Sequence, residues 1–223
     1  MAVHLDEEQQ FEALKNWWRR HGSAVILAAA VLVAGIGGWY YWQERQRERA
    51  EQASIQFLAL LEALEGEEAD RKAPAAELVT TRAEAILGTG AGGFYPALAR
   101  LALARLAVSE GDLTAAAEQL RAVVEEGPED LLPLARLRLA AVEGAQGLFA
   151  EALGRLAESY PESYRPLVLE LKGDLLDAQG DREGAVAAWR DALAIAGGRH
   201  WPLLEMKIAA LAPGDAAQAK EEG

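Results

Sequence analysis

Three glycines in the segment GTGAGG have the spacing of a known cofactor-binding motif. Gly88, Gly90 and Gly93 satisfy the spacing G-x-G-x-x-G, in which glycines allow a backbone to approach the pyrophosphate of a dinucleotide. That chemistry needs a preceding β-strand within a βαβ unit, whereas the segment TTRAEAIL before Gly88 has a helical pattern. We therefore expect these glycines to form a flexible connection between helices and to bind no cofactor.

Histidine, serine and cysteine offer no recognisable catalytic or metal-binding arrangement. His4, His21 and His200 are far apart and lack the spacing of metal ligands. The serines at predicted helix ends or turns, where a hydroxyl group caps the backbone, are Ser109, Ser159 and Ser163. The absence of cysteine excludes disulfides, thiolate zinc sites and a cysteine nucleophile. The sequence therefore predicts a protein that is not an enzyme and needs no cofactor or metal.

Acidic and apolar residues on predicted helix faces indicate a candidate binding groove. Glu170, Asp174 and Asp177 are spaced i, i+4, i+7 and form an acidic stripe. Around Arg105, the equivalent helices upstream present an apolar set that comprises Leu98, Leu101, Leu134 and Leu137. A groove that is half apolar and half acidic would suit an extended or helical segment with hydrophobic anchors and a basic end. The alternative is that the acidic stripe is a solvated face and the leucines pack between helices.

An uncharged run at residues 22–43 is long enough to cross a membrane as a helix. Trp18 and Trp39 are 21 residues apart, a rise of about 31 Å, and belong to aromatic clusters typical of the two membrane interfaces. The run favours a retained transmembrane helix at 22–42 in contact with the lipid bilayer over a cleaved signal or a buried core helix. Small residues that would admit a second membrane helix recur on one side of it: Ala30, Ala34 and Gly38.

The charge distribution excludes nucleic acid as a partner but leaves the orientation open. Residues 51–223 carry 16 basic and 29 acidic side chains, so the whole formal charge of −13 lies after the apolar run. A phosphate backbone would be repelled by such a domain. The basic residues that flank the apolar run are balanced, and the positive-inside rule therefore gives a tie: Lys15, Arg19 and Arg20 precede it, and Arg45, Arg47 and Arg49 follow it.

The segments SEGDLTAAAEQL, AQGLFAEALGRL and AQGDREGAVAAW form an internal repeat. Their turn glycines, Gly111, Gly147 and Gly180, are 36 and 33 residues apart, which brackets the ~34-residue period of tetratricopeptide repeats. An alanine follows each glycine after five residues, and a large apolar residue follows after nine: Ala116, Ala152 and Ala185, then Leu120, Leu156 and Trp189. Pro128 and Pro161 lie near the repeat ends. We therefore predict an all-α protein, with a transmembrane helix followed by a tetratricopeptide-like solenoid of helical hairpins.

Five segments follow from these patterns. Ile55, Leu58 and Leu61 recur at helical spacing and predict an amphipathic helix after the membrane span, with a break in GEEADRKAP from Gly66 onward. Leu204, Ile208 and Leu211 predict a capping helix at the end of the repeats. The predicted segments are an N-terminal tail at 1–21, the span at 22–42, a connecting helix with an atypical first pair at 43–96, repeats with a capping helix at 97–212, and a flexible tail at 213–223.

The order of these parts resembles a known family, the bacterial ancillary subunits of the SecYEG translocon of the YfgM type. The resemblance rests on EEQQFEALKNWWRRHG, the single span, YPALARLALARLAVSEGDLTAAAEQLRAVVEEG, GDREGAVAAWRDAL and PLLEMKIAAL. It implies a bacterial inner-membrane protein with residues 1–20 in the cytoplasm and 43–223 in the periplasm. It also implies association with the SecYEG translocon and with a membrane-anchored periplasmic chaperone. Through these partners the protein would assist newly exported proteins. The alternative function is a structural scaffold of an envelope or cell-division complex.

Overall fold

The computed structural model describes the backbone of residues 3–70, 73–195 and 201–211 and the side chains of 15–64, 76–195 and 201–211. The described residues form α-helices and contain no β-strand, which confirms the predicted all-α fold. The helices are α1 (Val3–Asp70), α2 (Ala73–Gly88), α3 (Phe94–Glu110), α4 (Leu113–Glu126), α5 (Leu132–Ala145), α6 (Phe149–Leu156), α7 (Arg165–Ala178), α8 (Arg182–Ile195) and α9 (Pro202–Leu211). The chain divides within α1 into two compact units, Met1–Glu51 and Gln52–Gly223.

The first unit contains the apolar run. A helical segment within Lys15–Leu64 is long and apolar enough to cross a membrane, and its large apolar side chains at 25–42 are exposed. Aromatic rings contact one another at both ends of the run, with centroids 6.4 Å apart for Trp17 and Trp18 and 5.7 Å apart for Trp39 and Trp42. This exposure is typical of a membrane span and not of a helix in a soluble core.

In the second unit, each predicted repeat turn is a glycine with positive φ. Gly111, Gly147 and Gly180 have φ of 82°, 79° and 88°, a region that costs other L-residues roughly 1–2 kcal/mol. After the first and third of these turns an aspartate caps the next helix. The Oδ1 atoms of Asp112 and Asp181 each accept a hydrogen bond of 2.9 Å from the backbone N–H three residues later. The repeated sequence thus produces a repeated helical hairpin.

Small and large side chains interlock within each hairpin. The alanines of the repeat pattern are completely buried, and the large residues four positions later are almost completely buried: Ala116, Ala152 and Ala185, then Leu120, Leu156 and Trp189. In the third hairpin, a Cβ atom added at Gly173 of α7 would overlap the Trp189 ring of α8. The missing side chain at Gly173 therefore provides the space for the indole.

The prolines near the repeat ends have equivalent structural roles. Pro128 and Pro161 precede single turns of 3₁₀-helix at Glu129–Leu131 and Glu162–Tyr164, and these turns lead into α5 and α7. A fixed φ and a missing N–H suit a residue that precedes a helical turn. The same device therefore joins the first hairpin to the second and the second to the third.

The first helical pair differs from the sequence-based prediction in two respects. Helix α1 continues through Gly66 to Asp70, because one glycine costs a helix only about 1 kcal/mol. The residues of α1 that are buried against α2 and α3 are Ala53, Leu60 and Ala63. The predicted apolar positions are instead exposed by 61%, 67% and 40% for Ile55, Leu58 and Leu61. Both sides of this helix are apolar, and the small alanines face the neighbouring helices.

Helix α9 packs at the end of the repeats. Leu204 is completely buried, and Ile208 and Leu211 pack against the cluster that contains Trp189. The predicted flexible tail at 213–223 lies outside the described residues.

Candidate protein-binding groove

A groove open to solvent lies among α3, α4 and α5, with a volume of about 310 Å³. We call it the α3–α5 groove. Its apolar wall consists of Leu101, Ala104, Val108, Leu113, Leu120, Ala141, Val142 and Ala145. Arg105 of α3 and Arg138 of α5 also line it, and both are exposed. The groove thus combines an apolar wall with two guanidinium groups from the first helices of successive hairpins.

Small side chains create the space in the groove. Ala104, Ala141 and Ala145 face it where larger residues would fill it, while Leu120 is 1% exposed and closes its base. Val108 is 46% exposed. A concave apolar site with a few polar groups is typical of sites that take up a bulky apolar group and orient it.

The predicted apolar residues separate into two sets. Leu101 lines the α3–α5 groove together with Arg105. Leu98 and Leu134 pack against the core formed by the helices α3, α4 and α5, and Leu137 packs against the next core, which contains Leu156 and Leu175. The structure therefore brings one of these four leucines, Leu101, to the groove, and all four pack between helices.

The predicted acidic stripe is in contact with the end of the repeats. The Nζ atom of Lys207 in α9 lies 2.7 and 2.9 Å from the carboxylate oxygens of Asp174 and 3.6 Å from Oε1 of Glu170. The indole N–H of Trp189 donates to Oδ1 of Asp174 at 3.0 Å, and Lys207 Nζ lies 5.7 Å from the centroid of the indole ring. Asp177 is exposed. Two of the three acidic residues therefore join α7 to α8 and α9.

A buried carboxylate joins three helices of the first two hairpins, and the sequence pattern did not identify it. Glu143 of α5 is 2% exposed and accepts hydrogen bonds of 2.6 and 2.8 Å from Nε and Nη2 of Arg155 in α6. Arg121 of α4 lies 3.9 Å from the same carboxylate. The hydrogen bonds that Arg155 donates to the Glu143 carboxylate raise the pKa of the Arg155 guanidinium group. One available signal was that Glu143 stands where the repeat pattern expects a tyrosine.

A tyrosine lies beside this ion pair. The hydroxyl group of Tyr160 donates a hydrogen bond of 3.3 Å to the carbonyl oxygen of Arg155. Burial raises the pKa of Tyr160 to about 12, with a further contribution from the charge of Glu158. Glu158 in turn pairs with Arg136 of α5 at 3.0 Å. Polar contacts therefore connect α5 with α6 and the turn that follows α6.

The other candidates for chemistry have local structural roles or no described neighbours. The glycine-rich segment connects α2 to α3, so a helix precedes it, and Gly90 and Gly93 have positive φ. The hydroxyl group of Ser109 donates to the carbonyl oxygen of Leu106 at 2.7 Å. Within the described residues, no group of three His, Asp or Glu is placed to hold a metal ion. The side chain of His4 and all of His200 lie outside the described residues.

The predicted contact face within the membrane lies on exposed helix surface. Ala30, Ala34 and Gly38 are all exposed, and a Cβ atom added at Gly38 would meet no neighbouring atom. This face remains a prediction.

Comparison with known proteins identifies the family. Residues 15–213 match the family described as "Tetratricopeptide repeat-like domain". A protein of Escherichia coli K12 named "Ancillary SecYEG translocon subunit" is 30% identical over 190 residues, which cover 85% of this chain and 88% of that protein. Relatives of the same name from Haemophilus influenzae and Aggregatibacter actinomycetemcomitans are 30% and 28% identical over 132 residues. Those alignments cover 59% of this chain and 61% of each relative. No solved structure matches. The chain therefore belongs to the family of bacterial ancillary SecYEG translocon subunits of the YfgM type.

Proposed function

We propose that this protein is a membrane-anchored protein-interaction module that acts as an accessory subunit of the SecYEG translocon. The observation that carries the proposal is the alignment with the E. coli relative, which covers 85% of this chain. The exposed apolar helix supplies the anchor and the helical hairpins supply a binding surface. The two parts together suit a protein that binds partners beside a membrane.

The family resemblance supports a specific topology and partner. We place residues 1–20 in the cytoplasm and 43–223 in the periplasm, where the repeats would link the translocon to a membrane-anchored periplasmic chaperone and assist exported proteins. Anchoring both partners in one membrane raises their effective concentration, so that modest contacts suffice for association. The function requires binding and no chemical step.

Cross-linking in intact membranes followed by co-purification tests the proposed partner. Recovery of translocon subunits with the full chain is expected, whereas recovery of only cell-division or wall-synthesis proteins would favour the scaffold function and contradict the proposal. A matched variant replaces 22–42 with an unrelated apolar span of equal length. Loss of recovery in that variant would assign translocon contact to the span and its small residues, and unchanged recovery would assign it to the repeats.

The absence of cysteine allows a direct test of topology. Val108→Cys places a thiol at an exposed position of the repeats, and Glu8→Cys places one before the span. In intact spheroplasts, a membrane-impermeant maleimide should label only the Val108→Cys protein. Labelling of only the Glu8→Cys protein would reverse the proposed orientation.

A further inference from the structure

The charge of the α3–α5 groove is opposite to that of the domain around it. Residues 51–223 carry 29 acidic side chains and 16 basic ones. The ten described residues that line the groove include Arg105 and Arg138 and no carboxylate. Arginine presents a planar fork of donors that matches a carboxylate bidentately. The groove is therefore a local site for an anionic group on an acidic domain.

We propose that the α3–α5 groove binds a protein segment in which a bulky apolar side chain is flanked by a carboxylate side chain. This inference rests on the proposed function as a partner-binding module. The apolar side chain would lie against the wall that contains Leu101 and Ala141, and the flanking carboxylate would pair with Arg138. A volume of about 310 Å³ gives room for such an anchor.

The proposal reverses the partner charge expected from the sequence. The acidic stripe that includes Glu170 and Asp174 predicts a partner segment with a basic end. In the structure, the ammonium group of Lys207 already lies 2.7 Å from Asp174 and 3.6 Å from Glu170. A basic partner group would have to displace Lys207, whereas an acidic group at the apolar groove meets the exposed guanidinium group of Arg138.

Peptide binding to the purified full chain in detergent micelles tests the proposal. The probe is a short fluorescent Gly/Ser peptide with a central Leu–Phe pair that has Glu on both sides, and a second probe has Lys in place of Glu. Ala141→Trp fills the groove and Arg138→Glu reverses one of its charges. Lys172→Glu is the matched control, because Lys172 is an exposed basic residue on α7, outside the groove.

We expect the Glu peptide to bind at least about tenfold more tightly than the Lys peptide, as one charge-assisted hydrogen bond predicts. Ala141→Trp should abolish binding, Arg138→Glu should reverse the preference for Glu over Lys, and Lys172→Glu should bind like the wild type. Equal binding of both peptides, or wild-type binding by both groove variants, would overturn the proposal. Concentration-dependent self-association abolished by Ala141→Trp would also overturn it, because a second copy would then occupy the groove.

The two proposals fail in different ways. The peptide assay contains no translocon, while recovery of translocon subunits from membranes involves no peptide. If the Glu and Lys peptides bind equally well but translocon subunits are still recovered, only the proposal for the α3–α5 groove is refuted. If translocon subunits are not recovered but the Glu peptide still binds more tightly than the Lys peptide, the translocon role is refuted and the groove remains a binding site.

Discussion

Glu143→Gln tests whether the buried carboxylate holds the second hairpin together. The substitution keeps the shape of the side chain and removes its charge, so that the guanidinium group of Arg155 loses its anionic partner. Glu143 is 2% exposed, and its carboxylate receives two hydrogen bonds from Arg155 at 2.6 and 2.8 Å. These contacts join α5 to α6. The guanidinium group of Arg121 in α4 lies 3.9 Å from the same carboxylate and connects α4 to them.

The structure sets the expected size of the effect. Breaking a fully buried ion pair costs about 3–5 kcal/mol of the free energy of unfolding. The side chain of Arg155 is 24% exposed and can regain water, and glutamine keeps one acceptor oxygen. We therefore expect a loss of about 2–3 kcal/mol for Glu143→Gln. In a domain of this size that loss lowers the Tm by roughly 4–12 °C.

Thermal unfolding of the full chain in detergent micelles, followed by circular dichroism, measures this loss. The matched control is Glu158→Gln, because Glu158 also pairs with an arginine, at 3.0 Å, but its side chain is 41% exposed. Because the Glu158 carboxylate is far better solvated than that of Glu143, this pair should contribute less than about 1 kcal/mol. A double-mutant cycle with Arg155→Gln isolates the energy of the pair. If Glu143→Gln lowers the Tm no more than Glu158→Gln does, the carboxylate does not hold the hairpin and the reasoning is wrong.

Three further predictions concern the second and third hairpins and the last helix. In urea denaturation, Gly173→Ala should lower the free energy of unfolding by about 1–3 kcal/mol, because the added Cβ would overlap the indole of α8. The control is Gly154→Ala, whose added Cβ meets no neighbour. This variant should be neutral or stabilised by up to about 1 kcal/mol in the same assay. Because the pKa of Tyr160 is raised from 10.0 to about 12, the unfolded state releases the phenolic proton first, and stability should fall as pH rises from 10 toward 12. Urea denaturation should show a smaller fall for Tyr160→Phe, and an equal fall would contradict burial of the phenol. Lys207→Met should remove the ion pair to Asp174 and increase amide hydrogen exchange in α9, while unchanged exchange would show that apolar packing alone holds the helix.

The hairpins were predictable because their determinants are local. A left-handed turn favours glycine, and the alanine five residues later faces the partner helix, so Gly111, Gly147 and Gly180 set the register of the repeat. A candidate membrane span was equally predictable, since length and apolar composition are properties of one segment. Patterns of this kind need no knowledge of distant residues.

Contacts between distant segments were not predictable in the same way. Lys207 and Asp174 are 33 residues apart, and nothing local shows that the lysine of α9 reaches the acidic stripe of α7. Helix α1 is apolar on two sides, so spacing alone could not tell that Leu60 is buried while Leu58 is 67% exposed. The groove itself depends on alanines from separate hairpins, whose small size becomes significant only once the hairpins are packed together.

Helix α9 has a consequence for how molecules of this kind assemble. The outer face of the last hairpin in a solenoid resembles the surface on which another hairpin packs, so an uncovered end invites head-to-tail polymerisation. Leu204 buries itself at that end, and Lys207 reaches back to Asp174 across the indole of α8. Helix α9 thereby covers the apolar end of the third hairpin. An additional repeat gained by gene duplication would have to be inserted upstream of residue 202, because α9 already occupies the site where the next hairpin would pack.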